Sequence, residues 1–278
     1  MCATCGCGKV DEPGGTRITA PDDGAQRHEH DHEHGHRHGH SHDHEHGHVH
    51  EHGHTHDHAP VATETVTLEQ KILDKNDRLA AENRAWLTAR GIRSFNLMSS
   101  PGSGKTTLLE RTVRDLQASS PVSVIEGDQE TLLDADRIRS TGCAVVQVNT
   151  GSGCHLDAEM MRGALDALSP VNDSLMFVEN VGNLVCPALF DLGEQGKVVL
   201  ISVTEGDDKP LKYPHIFAVA DLVIVNKTDL LPYVDFDTEV CERNARSVNP
   251  GVRVINLSAT SGEGLEEWYR WVAEGSGG

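Results

Sequence analysis

Histidine occupies every even-numbered position from 28 to 58, which accounts for sixteen of the eighteen histidines in this 278-residue chain. An unperturbed imidazole has a pKa of about 6.5, so most of these rings are neutral at pH 7 and available as metal ligands. Interspersed glycines permit turns that bring several rings to one ion. We expect this His-rich run to store or buffer a divalent metal; a solvated linker is the alternative. The predicted ligands are His28, His30, His32, His34, His36, His38, His40, His42, His44, His46, His48, His50, His52, His54, His56 and His58.

A second candidate metal site lies at the amino terminus, in the sequence CATCGC. The thiolates of Cys2, Cys5 and Cys7 are spaced so that they can converge on one ion, and Gly6 permits the tight turn. Sulfur-rich square-planar coordination suits Ni²⁺, whereas a tetrahedral arrangement suits Zn²⁺. Reactive surface thiols are the alternative to metal binding.

A third candidate combines the adjacent Cys154 and His155 with the distant Cys186. Each group follows a predicted strand, at 144–149 and 175–179, and the carboxyl ends of parallel strands meet at one edge of a sheet. Three ligands are one short of a typical closed site, which a second subunit could complete. We therefore predict a metal site at a homodimer interface. Ordinary buried cysteines are the alternative.

The sequence SSPGSGKTT at 99–107 follows a predicted strand and opens a predicted helix, as a phosphate-binding loop does. Its glycines let backbone N–H groups close around phosphate oxygens. Lys105 is predicted to contact the terminal phosphates and Thr106 to bind Mg²⁺. Ser99 stands where the usual pattern has its first glycine. The predicted phosphate-binding residues are Gly102, Ser103, Gly104, Lys105, Thr106 and Thr107.

The sequence VNKTD at 225–229 predicts guanine specificity. Asp229 can accept hydrogen bonds from the guanine N1–H and N2–H₂ groups, and adenine offers no donor there. Asn226 and the stem of Lys227 are expected to frame the ring. Ser258 and Ala259 in LSATSG are expected to donate backbone N–H groups to the base oxygen.

Two acidic residues, Asp128 and Glu179, end predicted strands near the phosphates and are candidates for Mg²⁺ or its water ligands. Helix capping is the alternative role for each. The common Asp-x-x-Gly signature is replaced here by Glu179-Asn-Val-Gly182. No obvious glutamine or arginine is available to orient the attacking water, so we expect slow unaided GTP hydrolysis.

The elements that carry these residues are apolar strands alternating with helical patterns, which predicts an α/β fold with a parallel sheet covered on both faces. An N-terminal helical segment over 61–93 is expected, with Thr67 as the N-cap of a capping box and Gly91 at the C-terminus. Residues 1–60 should be a disordered tail without metal, and 94–278 the P-loop GTPase domain. The predicted strands are 94–98, 122–126, 144–149, 175–179, 197–203, 222–226 and 252–257. The predicted helices within the GTPase domain are 104–118, 130–140, 156–168, 236–247 and 264–274.

Composition excludes several functions. The formal net charge is −19, of which residues 28–58 contribute −6, so the rest of the chain is acidic in its own right. A nucleic-acid partner is therefore not expected. No apolar run approaches the roughly 20 residues of a membrane span, and the amino terminus lacks a signal-peptide pattern. Seven cysteines, three of them crowded together, suit metal ligation in a reducing cytoplasm.

The motif set resembles the HypB family, the nickel-inserting GTPases of [NiFe]-hydrogenase maturation, over nearly the whole chain. The resemblance implies a SIMIBI-type P-loop GTPase that uses GTP, GDP and Mg²⁺ and dimerises with nucleotide. It implies Ni²⁺ as cargo, a HypA-type accessory protein as partner and the hydrogenase large-subunit precursor as destination. It also implies that Cys154, His155 and Cys186 are ligands in the GTPase domain. The motifs are MCATCGCG, the His-rich run, SSPGSGKTTLL, GDQETLLDADRI, TGSGCHLDA, VENVGNLVCPA, GDDKPLKYP and VNKTDLLP.

Two other functions share part of this pattern. A related metallochaperone GTPase for urease or a cobalt enzyme has the P-loop, the guanine signature and often a His-rich tail. A metal-storage protein with a vestigial GTPase core should have lost Lys105, Thr106 or Asp229, and all three are present.

Overall fold

The computed structural model describes residues 17–19, 62–128, 133–151 and 153–275. Cys2, Cys5, Cys7 and the His-rich run lie outside the described residues, so metal binding by them stays a prediction. The expected disorder of residues 1–60 also falls almost entirely outside them. Within residues 1–60, the three described residues Arg17–Thr19 form a short strand, which the sequence analysis did not predict.

An eight-stranded sheet forms the centre of the fold, in the order β1-β4-β3-β5-β2-β6-β7-β8. Strands β2 to β8 are all parallel, and β1 pairs antiparallel with β4 at one edge. The predicted parallel α/β fold is confirmed. The strands are β1 Arg17–Thr19, β2 Arg93–Ser99, β3 Val122–Asp128, β4 Ala144–Asn149, β5 Leu175–Gly182, β6 Gly196–Ser202, β7 Leu222–Asn226 and β8 Arg253–Asn256.

Helices cover both faces of the sheet. Alternate residues of the central strands face opposite layers, so both faces of each strand are apolar. Helices α2, α3 and α8 pack on one face around Phe95 and Phe177, while α1, α4, α6 and α7 supply the clusters on the other. The helices are α1 Ala62–Thr88, α2 Lys105–Leu116, α3 Leu133–Arg139, α4 Ala158–Leu168, α5 Lys209–Lys212, α6 Pro214–Ala218, α7 Thr238–Val248 and α8 Leu265–Glu274.

The start of α1 differs from the prediction. The helix begins at Ala62, so Thr67 lies inside it and the predicted capping box is wrong. No glycine or proline follows Pro60 in this stretch, so nothing in the chain stops the helix from extending past Thr67. Gly91, just beyond the helix, has φ 63°, the left-handed conformation predicted for a terminating glycine.

Two buried asparagines fasten α1 to the elements beside it. The Asn83 amide donates to the carbonyl oxygens of Ala158 (2.9 Å) and Leu192 (3.0 Å). The Asn76 side chain accepts from the Ala158 N–H (2.9 Å) and donates to the Asp191 carbonyl oxygen (2.9 Å). Helix α1 therefore fixes the start of α4, which follows Cys154 and His155 directly. Among the described residues, no helix has both the length and the hydropathy to cross a membrane.

Candidate nucleotide and metal sites

The loop between β2 and α2 has the geometry of a phosphate-binding loop. Gly102 and Gly104 have φ of 74° and 99°, which favours glycine at both positions. A Cβ on Gly104 would also lie only 2.6 Å from the Asn226 amide nitrogen. The Lys105 ammonium is buried and donates to the Ser99 hydroxyl oxygen (2.8 Å). Serine in place of the first glycine therefore supplies a hydrogen-bond acceptor for the lysine.

The loop opens onto a cleft of about 450 Å³. The strand ends, the first turn of α2 and one side of α3 form its walls, where the amides at the start of α2 favour an anion. Glu179 lies in the wall, but Asp128, at the end of β3, is not among the described lining residues. The structure thus brings one of the two predicted acidic residues to the cleft. The lining residues are Pro101, Gly102, Gly104, Lys105, Thr106, Thr107, Asp134, Arg137, Glu179, Gly182 and Lys227.

Thr106 and Glu179 form the core of a candidate Mg²⁺ site. The Thr106 hydroxyl donates to Glu179 Oε1 (2.8 Å), while Glu179 Oε2 is buried without a hydrogen-bond partner among the described residues. Burial raises the pKa of Glu179, and the positive charge of Lys105 opposes this shift. Carboxylate and hydroxyl oxygens suit Mg²⁺, so these residues fit the ion.

A second buried carboxyl group, Glu126, stands beside Glu179 in the register of β3 and β5. Burial, followed by repulsion from Glu179 and Asp128, raises the pKa of Glu126 to about 9. Glu126 is therefore neutral at pH 7, which limits negative charge behind the phosphate cleft. The predicted set of site residues does not include it.

The guanine-signature residues tie three loops together. Asn226 is buried at the end of β7, where its amide donates to the Ser103 carbonyl oxygen (2.9 Å) and accepts from the Ala259 N–H (3.1 Å). Lys227 donates from Nζ to the Gly102 carbonyl oxygen (2.7 Å). The buried Ser258 hydroxyl donates to Asp229 Oδ1 at 2.5 Å. Asn226 thus links the phosphate loop to the 258–259 segment, a role not predicted from the sequence.

The expected base contacts remain predictions. Asp229 is exposed, with its second oxygen available for a ligand. The Ser258 N–H donates to the Glu263 carbonyl oxygen (2.9 Å), and the Ala259 N–H is held by Asn226. Both backbone donors therefore have partners within the protein.

The Cys154–His155–Cys186 cluster assembles as the strand order predicts. One ligand atom from each residue lies within 4.8 Å of the other two, and the two sulfurs are 2.8 Å apart. The ring of His155 stacks on Phe190 with centroids 3.9 Å apart. Burial lowers the pKa of His155, which favours the neutral, metal-binding form. Two thiols and an imidazole form a borderline-soft set that suits Ni²⁺ or Zn²⁺.

One continuous segment connects the two sites. It runs from Glu179 at the nucleotide cleft, through Gly182 in the cleft wall, to Cys186 in the cluster. The Asn183 amide donates to the Cys154 carbonyl oxygen (3.4 Å), which links this segment to the other ligand loop. One short segment and one hydrogen bond therefore link Glu179 to both cysteines.

The structure also places Arg137 of α3 in the wall of the nucleotide cleft. Its guanidinium donates to Glu110 (2.9 Å) and to the Thr107 hydroxyl (3.2 Å). The sequence analysis found no arginine near the phosphates, because only the packing of α3 against α2 brings this one there.

Comparison with known proteins agrees with this architecture. A family model described as CobW/HypB/UreG, nucleotide-binding domain, matches residues 94–256. The hydrogenase maturation factor HypB of Azotobacter chroococcum mcd 1 is 60% identical over 207 residues, covering 74% of this chain and 68% of that protein. The Escherichia coli (strain K12) hydrogenase maturation factor HypB is 58% identical over 205 residues, covering 74% and 71%. A crystal structure of HypB from Helicobacter pylori in complex with nickel superposes with a TM-score of 0.67 at 40% identity, covering 72% of this chain and 94% of that one.

The fold and the phosphate loop define a P-loop nucleotide-binding protein of the CobW/HypB/UreG class. Within that class, the chain belongs to the HypB family of hydrogenase maturation factors. The predicted resemblance to the HypB family is confirmed over 74% of the chain, rather than over nearly all of it.

Proposed function

We propose that this protein hydrolyses GTP to control the binding and delivery of Ni²⁺ during [NiFe]-hydrogenase maturation. The observation that carries the proposal is the short segment 179–186, which joins a nucleotide-cleft carboxylate to a metal-cluster cysteine. Few other arrangements would place a hydrolysable ligand and a soft-metal clamp on the same strand end.

The nucleotide chemistry follows from the cleft residues. Lys105 leaves Ser99 to contact the terminal phosphates, the first-turn amides of α2 bind phosphate oxygens, and Asp229 selects guanine. Thr106 and Glu179 would hold Mg²⁺, directly or through water molecules bound to the ion. The ion would neutralise phosphate charge when bound. Asp128 is the second candidate for a water-mediated contact with the ion. Slow intrinsic turnover stays our expectation from the sequence, which offers no obvious residue to orient the attacking water.

Nickel is proposed as the cargo of the Cys154–His155–Cys186 cluster. The cluster offers three ligands, and a fourth from a second copy would complete a closed site. Exposed apolar side chains flank it: Val185 is 45% exposed and Leu189 is 44% exposed. Such residues beside an incomplete site support a homodimer interface there.

Coupling between the sites gives the protein a switch. GTP hydrolysis releases the contacts that hold Glu179, the 179–186 segment shifts, and the clamp loses affinity for the ion. By thermodynamic reciprocity, bound metal changes nucleotide affinity by the same factor. A HypA-type accessory protein and the hydrogenase large-subunit precursor are the proposed partners, in the cytoplasm.

The alternative, a metallochaperone of the same class acting on urease or a cobalt enzyme, shares the core chemistry. The adjacent Cys154-His155 pair with Cys186 and the amino-terminal CxxCGC sequence favour hydrogenase. Hydrogenase activity in a deletion strain, complemented with this gene and tested with and without added nickel, separates the two. Rescue of that activity is the expected outcome.

A titration tests the switch directly. Ni²⁺ binding is measured for the full chain loaded with GDP and with a non-hydrolysable GTP analogue, and we expect affinities that differ by about 5-fold or more. Cys154→Ala should remove the difference, while Cys241→Ala, a buried thiol outside the cluster, should preserve it. Equal nickel affinities in the two nucleotide states would disprove the coupling.

A further inference from the structure

Arg137 lines the nucleotide cleft, where it contacts both a hydroxyl group and carboxylates. Its guanidinium bonds to the Thr107 hydroxyl in the first turn of α2, and also to Glu110 one turn further along the same helix. A third, weaker partner is Asp134 on its own helix, at 3.6 Å. The side chain is 44% exposed, so it is free to turn without disturbing the core.

Two carboxylates lie beside Arg137. Glu110 pairs with both Arg114 (2.5 Å) and Arg137 (2.9 Å), and Arg137 is also 3.6 Å from Asp134, so two carboxylates share Arg137. A bound nucleotide brings further negative charge to the same cleft, and a planar guanidinium pairs with phosphate through two parallel hydrogen bonds. Phosphate and Glu110 therefore compete for the same cation.

We infer that Arg137 is a phosphate-binding residue that leaves Glu110 to contact the phosphates shared by GDP and GTP. Successive helix residues point about 100° apart, so Thr107 faces α3 while Thr106 faces Glu179 and the Mg²⁺ side. Its bond to Thr107 places Arg137 beside the α3-facing side of this turn, while its positive charge still reaches Glu179 across the cleft. The inference rests on the proposed GTP binding. It adds Arg137 as a phosphate-binding residue, Glu110 as the carboxylate that competes with phosphate for it, and the phosphates shared by GDP and GTP as its target.

Contact with the phosphates common to GDP and GTP predicts a specific effect on KM and kcat when Arg137 is lost. A residue that binds phosphates common to substrate and product stabilises the ground state and the transition state equally, so its loss raises KM and leaves kcat unchanged. An arginine that stabilised the transition state would instead lower kcat. The opposing carboxylate gives a second prediction of opposite sign, which a purely structural salt bridge would not produce.

The experiment measures Kd for fluorescent GDP and for a non-hydrolysable GTP analogue with Mg²⁺, together with kcat for GTP. Arg137→Ala should weaken both nucleotides by about 10-fold with kcat within about 2-fold of wild type. Glu110→Gln, which removes the nearer of the two carboxylates that pair with Arg137, should tighten the binding of both nucleotides by about 3-fold. Arg139→Ala is the matched control, because Arg139 pairs with Asp136 on the same helix and does not line the cleft.

Three results would overturn the inference. Arg137→Ala could match Arg139→Ala in both affinities, it could lower kcat with affinities intact, or Glu110→Gln could weaken binding. If the wild-type protein binds neither nucleotide, the proposed function itself fails, which is a separate outcome. A thermal melt of each variant, expected within a few degrees of wild type, shows that folding is not the cause.

Discussion

At the scale of single residues, the proposed base pocket depends on how the carboxylate of Asp229 is held. The Ser258 hydroxyl fixes one oxygen of Asp229, and Ser258 is itself buried beneath the loop. Asn226 keeps this loop in register with the phosphate loop, through Ser103 on one side and Ala259 on the other. The carboxylate is therefore pre-positioned relative to the phosphates before any ligand arrives, which reduces the entropy lost on binding.

Asp229→Asn should change the base specificity of the nucleotide site from guanine to xanthine. A carboxylate accepts from both guanine donors, whereas an asparagine has one acceptor and one donor and therefore matches the N1–H and C2=O of xanthine. GTP affinity should fall by at least about 100-fold, and xanthosine triphosphate should bind better than GTP. Competition binding checks this, with Asp235→Asn, an exposed carboxylate nearby, as control. Unchanged GTP affinity in Asp229→Asn would rule out the assigned base contact.

At the scale of elements, the 191–195 loop connects α1 to the sheet. A Cβ on Gly193 would lie 2.5 Å from the Ala80 carbonyl oxygen, so the loop backbone lies directly against α1. Glu194 is fully enclosed behind it, accepting from the Asn96 amide (3.1 Å) and the Leu192 N–H (2.7 Å). Burial raises the pKa of Glu194 to about 7, with Lys197 opposing and Asp191 reinforcing the shift.

This buried carboxyl group predicts a pH-dependent stability. Its folded pKa is above its unfolded value, so the folded state holds the proton more tightly and loses stability as pH rises from about 4.5 to 7. Glu194→Gln should reduce the stability lost between pH 5 and pH 8 by about 2 kcal/mol relative to wild type. Denaturant unfolding at the two pH values measures this, and Glu82→Gln on the exposed face of α1 should behave as wild type. Parallel pH profiles for wild type and Glu194→Gln would refute it.

The elements also show what sequence patterns can and cannot predict. The seven parallel strands are predictable because each is a nearly continuous apolar run, and their order brings Cys154 and Cys186 together. Strand Arg17–Thr19 is too short to show a periodicity, and the helices Lys209–Lys212 and Pro214–Ala218 span barely a turn each. Arg137 could not be assigned because its position depends on how α3 packs against α2, which no local pattern contains.

At the scale of the whole molecule, both candidate sites lie at the carboxyl edge of one sheet, where Cys154 and His155 are partly exposed and Cys186 is buried. Val185 and Leu189 flank Cys186 there on the turn after β5. These side chains are exposed in one chain, whereas a second copy could bury them and complete the coordination of the ion. Under the proposed function, dimerisation and metal closure would be one event, controlled by the nucleotide through the 179–186 segment.

Leu189→Glu should therefore separate assembly from nucleotide binding. A carboxylate buried at a twofold interface would meet its own copy, and the like charges would oppose association. With a GTP analogue and Ni²⁺ present, light scattering should give the mass of two chains for wild type and of one chain for Leu189→Glu, with GDP affinity unchanged within about 2-fold. Val171→Glu is the matched control, since Val171 is 63% exposed but lies before the amino end of β5, at the opposite edge. A Leu189→Glu dimer with intact nickel affinity would place the interface elsewhere and leave the three-ligand cluster to be completed from within one chain.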